Sequence, residues 1–495
     1  MTDIFSLFRT SFRFKIISML GLTALADFLF YGHQAGWTIG LFGLLLSGVC
    51  VLHNSQIIQT RLGQIILLLT ISQCFLQIEK TSLLCFALMS LGIVSLAVLS
   101  QGGWKDDASL WARQMLSSVF RILRPLNKAL IGVQRYRHRY MPPNRFSLFL
   151  RGWFLPIVLS VVFIFLFASA NPIVTKWLSG FDFKALLEMF SFGRLFFWAV
   201  MAAIVFAVIR PKLKRKRKAA TPDVFYKKKK PMGFAEWAFT KESVLRSLVI
   251  FNLMFACQTL MDMNYLWAGG ELPDGITYAG YAQKGAYPLI VTALLAALFV
   301  LISQNAGQEV AGSKTVQGLI YLWIAQNILL VVSSIYRTGL YVEVYALTYL
   351  RVAAFIWMGL VACGLAWIII RSILNKSNTW LINANVITAL AVLYVTSFMN
   401  IGAMIAHYNV THSKLVSGSG VHLDRYYMKR IGAAAIPAME EYVQIFEKEN
   451  IYYSDVSNHM TLDEMKDDLK SDVDDWRRWT YSEYRLLKSL EGKTQ

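Results

Sequence analysis

Residues 317–336 read QGLIYLWIAQNILLVVSSIY, and after a ten-residue gap residues 347–370 read LTYLRVAAFIWMGLVACGLAWIII. Each approaches the roughly 20 predominantly apolar residues that, at about 1.5 Å rise apiece, cross some 30 Å of hydrocarbon. Two such stretches in succession describe a membrane hairpin. Nine more of the kind lie outward from it, at 14–32, 36–53, 62–78, 81–100, 152–171, 191–210, 247–268, 286–304 and 380–401. The reading is an all-α polytopic membrane protein of about eleven transmembrane helices.

Composition agrees, because 56% of the 495 residues are hydrophobic and 16% charged, which rules out one water-soluble core. Cys50, Cys74, Cys85, Cys257 and Cys363 all fall inside apolar stretches, so neither a disulfide framework nor a zinc spacing is present. The first stretch carries Asp27 and lacks a small-residue cleavage pattern, so it reads as a retained span rather than a signal peptide.

Charge sets the orientation. With the N-terminus inside, the inner segments of the first 403 residues hold thirty Lys and Arg and the outer loops five: Lys80, Lys176, Lys184, Lys284 and Arg337. That bias follows the positive-inside rule and, with an odd number of spans, leaves the tail outside. The resulting organisation is a four-span segment over 1–100, a basic cytoplasmic loop over 101–151 and two spans over 152–210. A polybasic cytoplasmic loop over 211–246, five spans over 247–403 and an extracytoplasmic helical tail over 404–495 complete it.

The loop 211–246 carries Lys214, Arg215, Lys216, Arg217 and Lys218, then Lys227, Lys228, Lys229 and Lys230. Beside a membrane this density suits anionic lipid headgroups or a topological anchor. Nucleic-acid binding would need recognition aromatics or a fold that this loop is too short to build, so no nucleic-acid partner is expected. In 101–151, Met115, Val119, Ile122 and Leu126 recur at helical spacing among Arg113, Arg121 and Arg124. Such a face either lies in the inner interface or packs on the protein's own inner surface.

The tail holds twelve Lys and Arg against fifteen Asp and Glu, half the acids of the whole chain, so it is a region of different character. Ile431, Ile436, Met439, Tyr442, Val443 and Phe446 recur at helical spacing, which predicts a small helical domain. Ile431 to Met439 resembles the start of a HEAT-type helix with Pro437 in its first turn; one such unit cannot stack into a solenoid. His407, His412 and His422 near Asp424 match no metal spacing, and the acids from Asp463 to Asp475 lack the EF-hand glycine and ligand pattern. No metal, nucleotide or cofactor signature is present, and no nucleophile and base pair marks an enzyme.

Charges at membrane depth carry the most information, since an unpaired charge in hydrocarbon costs at least a few kcal/mol. Asp27 and Asp262 fall about 20 Å from the inner face by rise per residue. Arg194, Arg337, Glu343 and Arg351 collect toward the outer surface, with Tyr341, Tyr345, Tyr349 and Trp267 as an interfacial belt. Both carboxylates therefore need polar partners, an outer arginine or an amide such as Gln258 or Asn264. In one reading these charges only fix helix packing. In the other, Asp27, Asp262, Arg337, Glu343 and Arg351 line an outward polar chamber for an anionic or lipid-linked ligand, with Arg337 and Arg351 sharing the anion.

Several motifs resemble a known family: Asp27-Phe-Leu-Phe-Tyr-Gly32, Asn264-Tyr-Leu-Trp with Leu272-Pro-Asp-Gly-Ile-Thr-Tyr-Ala, Lys284-Gly-Ala-Tyr-Pro, and Leu340 to Arg351. Ala406-His-Tyr-Asn409, Leu423-Asp-Arg-Tyr-Tyr and Ala435-Ile-Pro-Ala438 continue the likeness. The family is one of uncharacterised bacterial multipass inner-membrane proteins, a domain of unknown function. Ala346 stands where the family usually has Gly, and His407 where it has Arg. The resemblance implies a bacterial inner-membrane protein and no particular activity. The expected function is a non-catalytic envelope component that binds or moves an anionic ligand through its outer face. The alternative is a membrane scaffold or regulatory partner whose tail docks another envelope protein.

Overall fold

The computed structural model describes residues 12–100, 107–119, 192–209, 241–268, 314–418, 420–448 and 452–492. Among them there is no strand. Nine of the eleven apolar stretches fall on described helices; 152–171 and 286–304 lie outside, as does 211–240 with its lysines and arginines. Among the described residues five helices are long and apolar enough to cross a membrane, and three further apolar helices are shorter. The chain divides into two compact units.

Unit 1 contains α1 (Phe12–Phe30), α2 (Thr38–His53), α3 (Arg61–Glu79), α4 (Leu83–Leu99), most of α5 (Ala108–Val119) and α6 (Phe192–Ile209), and also residues 476–481 from the tail. Its core joins Ala26, Leu46, Cys50, Cys74, Leu96 and Val205. Leu20, Leu68, Leu83 and Phe196 point outward, each more than half exposed, as lipid-facing side chains should. Polar groups turn inward: Thr70, Gln73 and Gln77 are buried. The Gln77 amide donates to the Ser82 carbonyl at 3.0 Å and its oxygen accepts from the Ser82 N–H at 3.1 Å, closing the turn between α3 and α4. The predicted basic amphipathic loop begins as α5; Met115 is buried, so this part packs on protein, while 120–151 lies outside the described residues.

Unit 2 is built on α7 (Lys241–Asp262), continued by a π turn over Met263–Trp267, then α8 (Lys314–Tyr345), α9 (Tyr349–Ile373) and α10 (Asn378–Phe398). Trp323 centres its core, stacked on Phe251 at 5.2 Å and met edge-on by Phe255 at 5.8 Å. Met358, Leu365 and Leu381 complete the packing. Helix boundaries follow the caps. Thr60, Thr348, Ser377, Asn400 and Asp424 each accept a backbone N–H in the first turn of the helix they precede.

The tail is helical as predicted, with α11 (Ile401–Thr411), α12 (Arg425–Ile431), α13 (Ile436–Lys448), α14 (Tyr452–Asp474) and α15 (Tyr481–Glu491). Met428, Ile436, Met439, Leu462, Leu469 and Leu490 form its core. Gly432 at φ +82° stops α12, and Pro437 sits in the first turn of α13, where its missing N–H costs nothing.

One boundary differs from the sequence expectation. Helix α8 runs 32 residues, about 48 Å at 1.5 Å per residue, and continues past the predicted span end at Tyr336. Arg337 therefore belongs to a helix interior rather than to an outer loop, which strengthens the inside bias of the loop charges. Nothing in Arg337 to Tyr345 breaks a helix, and Gly339 alone is tolerated.

Candidate functional site

Asp27, Arg194, Asp262, Arg337 and Arg351 each acquire a partner, but not one shared partner. In unit 1, Asp27 lies in the last turn of α1 and Arg194 in the first turn of α6. The Arg194 guanidinium donates through Nε to Oδ1 at 2.9 Å and through Nη2 to Oδ2 at 2.5 Å, a bidentate fork. The rings of Tyr31 and Trp198 flank the guanidinium at 5.5 and 5.8 Å. The Arg194 side chain remains 51% exposed, so this pair borders the surroundings of the unit.

In unit 2 the pair is deeply enclosed: Asp262 and Arg337 are each 2% exposed. Arg337 Nη2 donates to Asp262 Oδ1, Gln258 Nε2 donates to the same oxygen at 2.9 Å, and Ser333 Oγ donates to Oδ2 at 2.5 Å. Gln258 and Asp262 share a face of α7 at i, i+4, while Ser333 and Arg337 share a face of α8 at the same spacing, so two helices present four polar groups to one another. The π turn begins one residue after Asp262. A cavity of about 10 Å³ lies beside the carboxylate, lined by Thr259, Met263, Trp267, Leu329 and Leu330. That is near the volume of a single water.

Arg351 goes elsewhere. Its Nη1 donates to the Tyr345 carbonyl at 2.6 Å and to that of Ala346, and its guanidinium lies 4.5 Å over the Tyr341 ring. It thus satisfies the orphan carbonyls at the end of α8. Arg337 and Arg351, expected to share an anion across the hairpin, are bound to different internal partners. Glu343 is exposed, and the Tyr408 phenol is raised by burial first and by this carboxylate second.

Around Arg351 the structure gathers residues whose physical role the sequence did not reveal. Asn409 of α11 accepts from the Leu347 N–H at 2.7 Å and donates to the Leu347 carbonyl at 2.9 Å, clasping both backbone groups of a buried link. Tyr427 of α12 accepts from the Tyr349 N–H through its hydroxyl at 2.8 Å. Val342, Leu347, Val352 and Ile405 pack beneath them. Leu340 to Arg351, Ala406 to Asn409 and Leu423 to Tyr427, the stretches that carry the family resemblance, therefore meet at one junction between the α8–α9 hairpin and the tail. The resemblance was the signal that named them; the fold supplies the reason.

Ala346 stands at φ +64°, a left-handed conformation that costs an L-residue about 1 kcal/mol and glycine nothing. Ala346→Gly should therefore raise stability by up to about 1 kcal/mol, read as a higher thermal midpoint of the purified protein. A lower midpoint would mean the left-handed turn is not strained.

The histidines are engaged separately. His407 faces Glu441 at 3.8 Å, and His412 stacks on Tyr408 with ring centres 4.0 Å apart. Among the described residues no cluster of three or more His, Cys, Asp or Glu is placed to hold a metal ion.

Neither the curated proteins nor the solved structures contain a match to this chain. A family model described as a domain of unknown function, DUF4153, matches residues 36–442. The match spans α2 to the middle of α13, takes in the Asp262–Arg337 pair and the whole junction, and stops before α14 and residues 476–481. The chain belongs to the DUF4153 family.

Proposed function

We propose that this protein is a non-catalytic scaffold of a bacterial inner membrane, with its N-terminus cytoplasmic and its helical tail presented outside to another envelope protein. The observation that carries the reading is the Asn409 clasp on Leu347, which fixes the tail to the α8–α9 hairpin through both backbone groups of one residue. A tail held so firmly suits a platform. The guanidiniums once assigned to an anion are instead committed within the protein, Arg337 to Asp262 and Arg351 to helix carbonyls. Exposed Asp463, Asp467 and Asp474 on α14 favour a basic partner surface. Lys214 to Lys218 and Lys227 to Lys230 fit anionic headgroups on the cytoplasmic face.

The second reading, an outward site for an anionic or lipid-linked ligand, draws on the half-exposed Arg194 with its aromatic flanks.

Complementation of a deletion strain separates the two. Asn409→Leu removes both bonds to Leu347 and should abolish complementation at unchanged membrane abundance, whereas Arg194→Lys should complement fully. Loss of function in Arg194→Lys at normal abundance, with Asn409→Leu still active, would install the ligand reading and displace the scaffold.

A further inference from the structure

Six tail residues, Trp476-Arg-Arg-Trp-Thr-Tyr481, belong to unit 1 although the chain on either side of them belongs to unit 2. They lie along the turn that follows α1. The Gly36 N–H donates to the Arg477 carbonyl at 2.8 Å and the Trp37 N–H to the Trp479 carbonyl at 3.0 Å. The Trp37 indole donates to the Trp476 carbonyl at 2.7 Å. In return, Arg477 Nε donates to the Phe28 carbonyl at 3.2 Å in the last turn of α1, with its guanidinium 5.0 Å over the Phe28 ring and 4.5 Å over Trp476. Trp37 meets Trp479 edge-on at 6.3 Å, and Thr480 is 1% exposed. A Cβ on Gly36 would overlap the Arg478 carbonyl, so only glycine admits this approach.

This is peptide recognition in form: backbone N–H groups and an indole meet the carbonyls of a turn segment distant in sequence, while aromatic and cationic side chains fix its register. We propose that the turn 31–38 is a docking site for an aromatic–basic peptide and that residues 476–481 are its resident ligand, a reversible latch that closes this end of unit 1. The latch forms only when the last part of the chain reaches the side of the membrane that holds the turn. Reversibility follows from scale, because the net worth of these few bonds and ring contacts is of the order of the entropy lost in ordering six residues. Local opening is the expected consequence. The inference stands apart from the scaffold reading, since residues 476–481 and the turn belong to unit 1 and the Asn409 clasp to unit 2.

Arg477 and Arg478 make the latch a tryptic site, so opening can be read on the full-length protein in membrane vesicles. Cleavage after Arg477 or Arg478 should be slow in the wild type and about tenfold faster in Trp37→Phe, the factor carried by one lost hydrogen bond. Gly36→Val, which excludes the segment, should be faster still; Trp37→Phe keeps the test valid if that variant fails to fold. Hydrogen exchange at the Gly36 and Trp37 amides should show intermediate protection that falls in step with the cleavage rates. Equal cleavage in wild type and Trp37→Phe would overturn the docking. Protection as complete as that of the α2 interior, with no cleavage, would overturn the reversibility.

Discussion

Arg337→Met, with Asp262 left in place, is expected to cost about 3–5 kcal/mol of stability, because it strands a buried carboxylate between two helices. Gln258 and Ser333 still donate to Asp262, but two neutral donors cannot replace the guanidinium. Asp262→Asn combined with Arg337→Met should recover most of the loss, since the amide oxygen still accepts from Ser333 and no net charge remains buried. The measurement is the fraction of folded monomer left after heating the purified protein in detergent, with all four combinations compared. A loss in the double variant equal to the sum of the two single losses would show that the two residues are not coupled. The comparison also separates packing from ligand chemistry, because a structural ion pair tolerates joint neutralisation and a binding site does not.

A reporter active only outside the cytoplasm is expected to work when fused after Gln495 or inserted after His33, and to fail within 212–230. The effect should be all or none, since a folded reporter does not change sides. Two independent arguments meet here. The division of loop basic residues, thirty against four once Arg337 is assigned to α8, predicts the N-terminus inside and the tail outside. The bonds from Gly36 and Trp37 to Arg477 and Trp479 require the turn after α1 and the tail to share one side, whichever side that is. Activity after His33 without activity after Gln495 would contradict those bonds. Cytoplasmic location of both, with the basic loop outside, would reverse the orientation and remove the extracytoplasmic scaffold.

Much of the fold was legible because hydrocarbon is a severe solvent. A run such as residues 347–370 has few alternatives to a spanning helix. The demand that Asp27 and Asp262 find polar partners was equally legible, since it depends on the energy of a charge and not on a particular neighbour. Which partner each finds was not. Arg194 lies 167 residues from Asp27, and Arg337 lies 75 from Asp262. Sequence distance brought Arg337 and Arg351 together in expectation, whereas the continuation of α8 to Tyr345 and the reversed turn at Ala346 gave each a different partner.

Residues whose role is local were thus decided by the sequence itself: the apolar runs, the first-turn Pro437 and the helical tail. Each depends on energies that act within a few residues or on the difference between water and hydrocarbon. Residues whose role depends on meeting a distant backbone were decided only in three dimensions. Asn409 and Trp476 to Tyr481 are polar and aromatic groups with many possible partners, and nothing in their own neighbourhood selects Leu347 or Gly36. Packing alone makes that selection, because a hydrogen bond is worth forming only where the fold has already brought donor and acceptor together and shut out water.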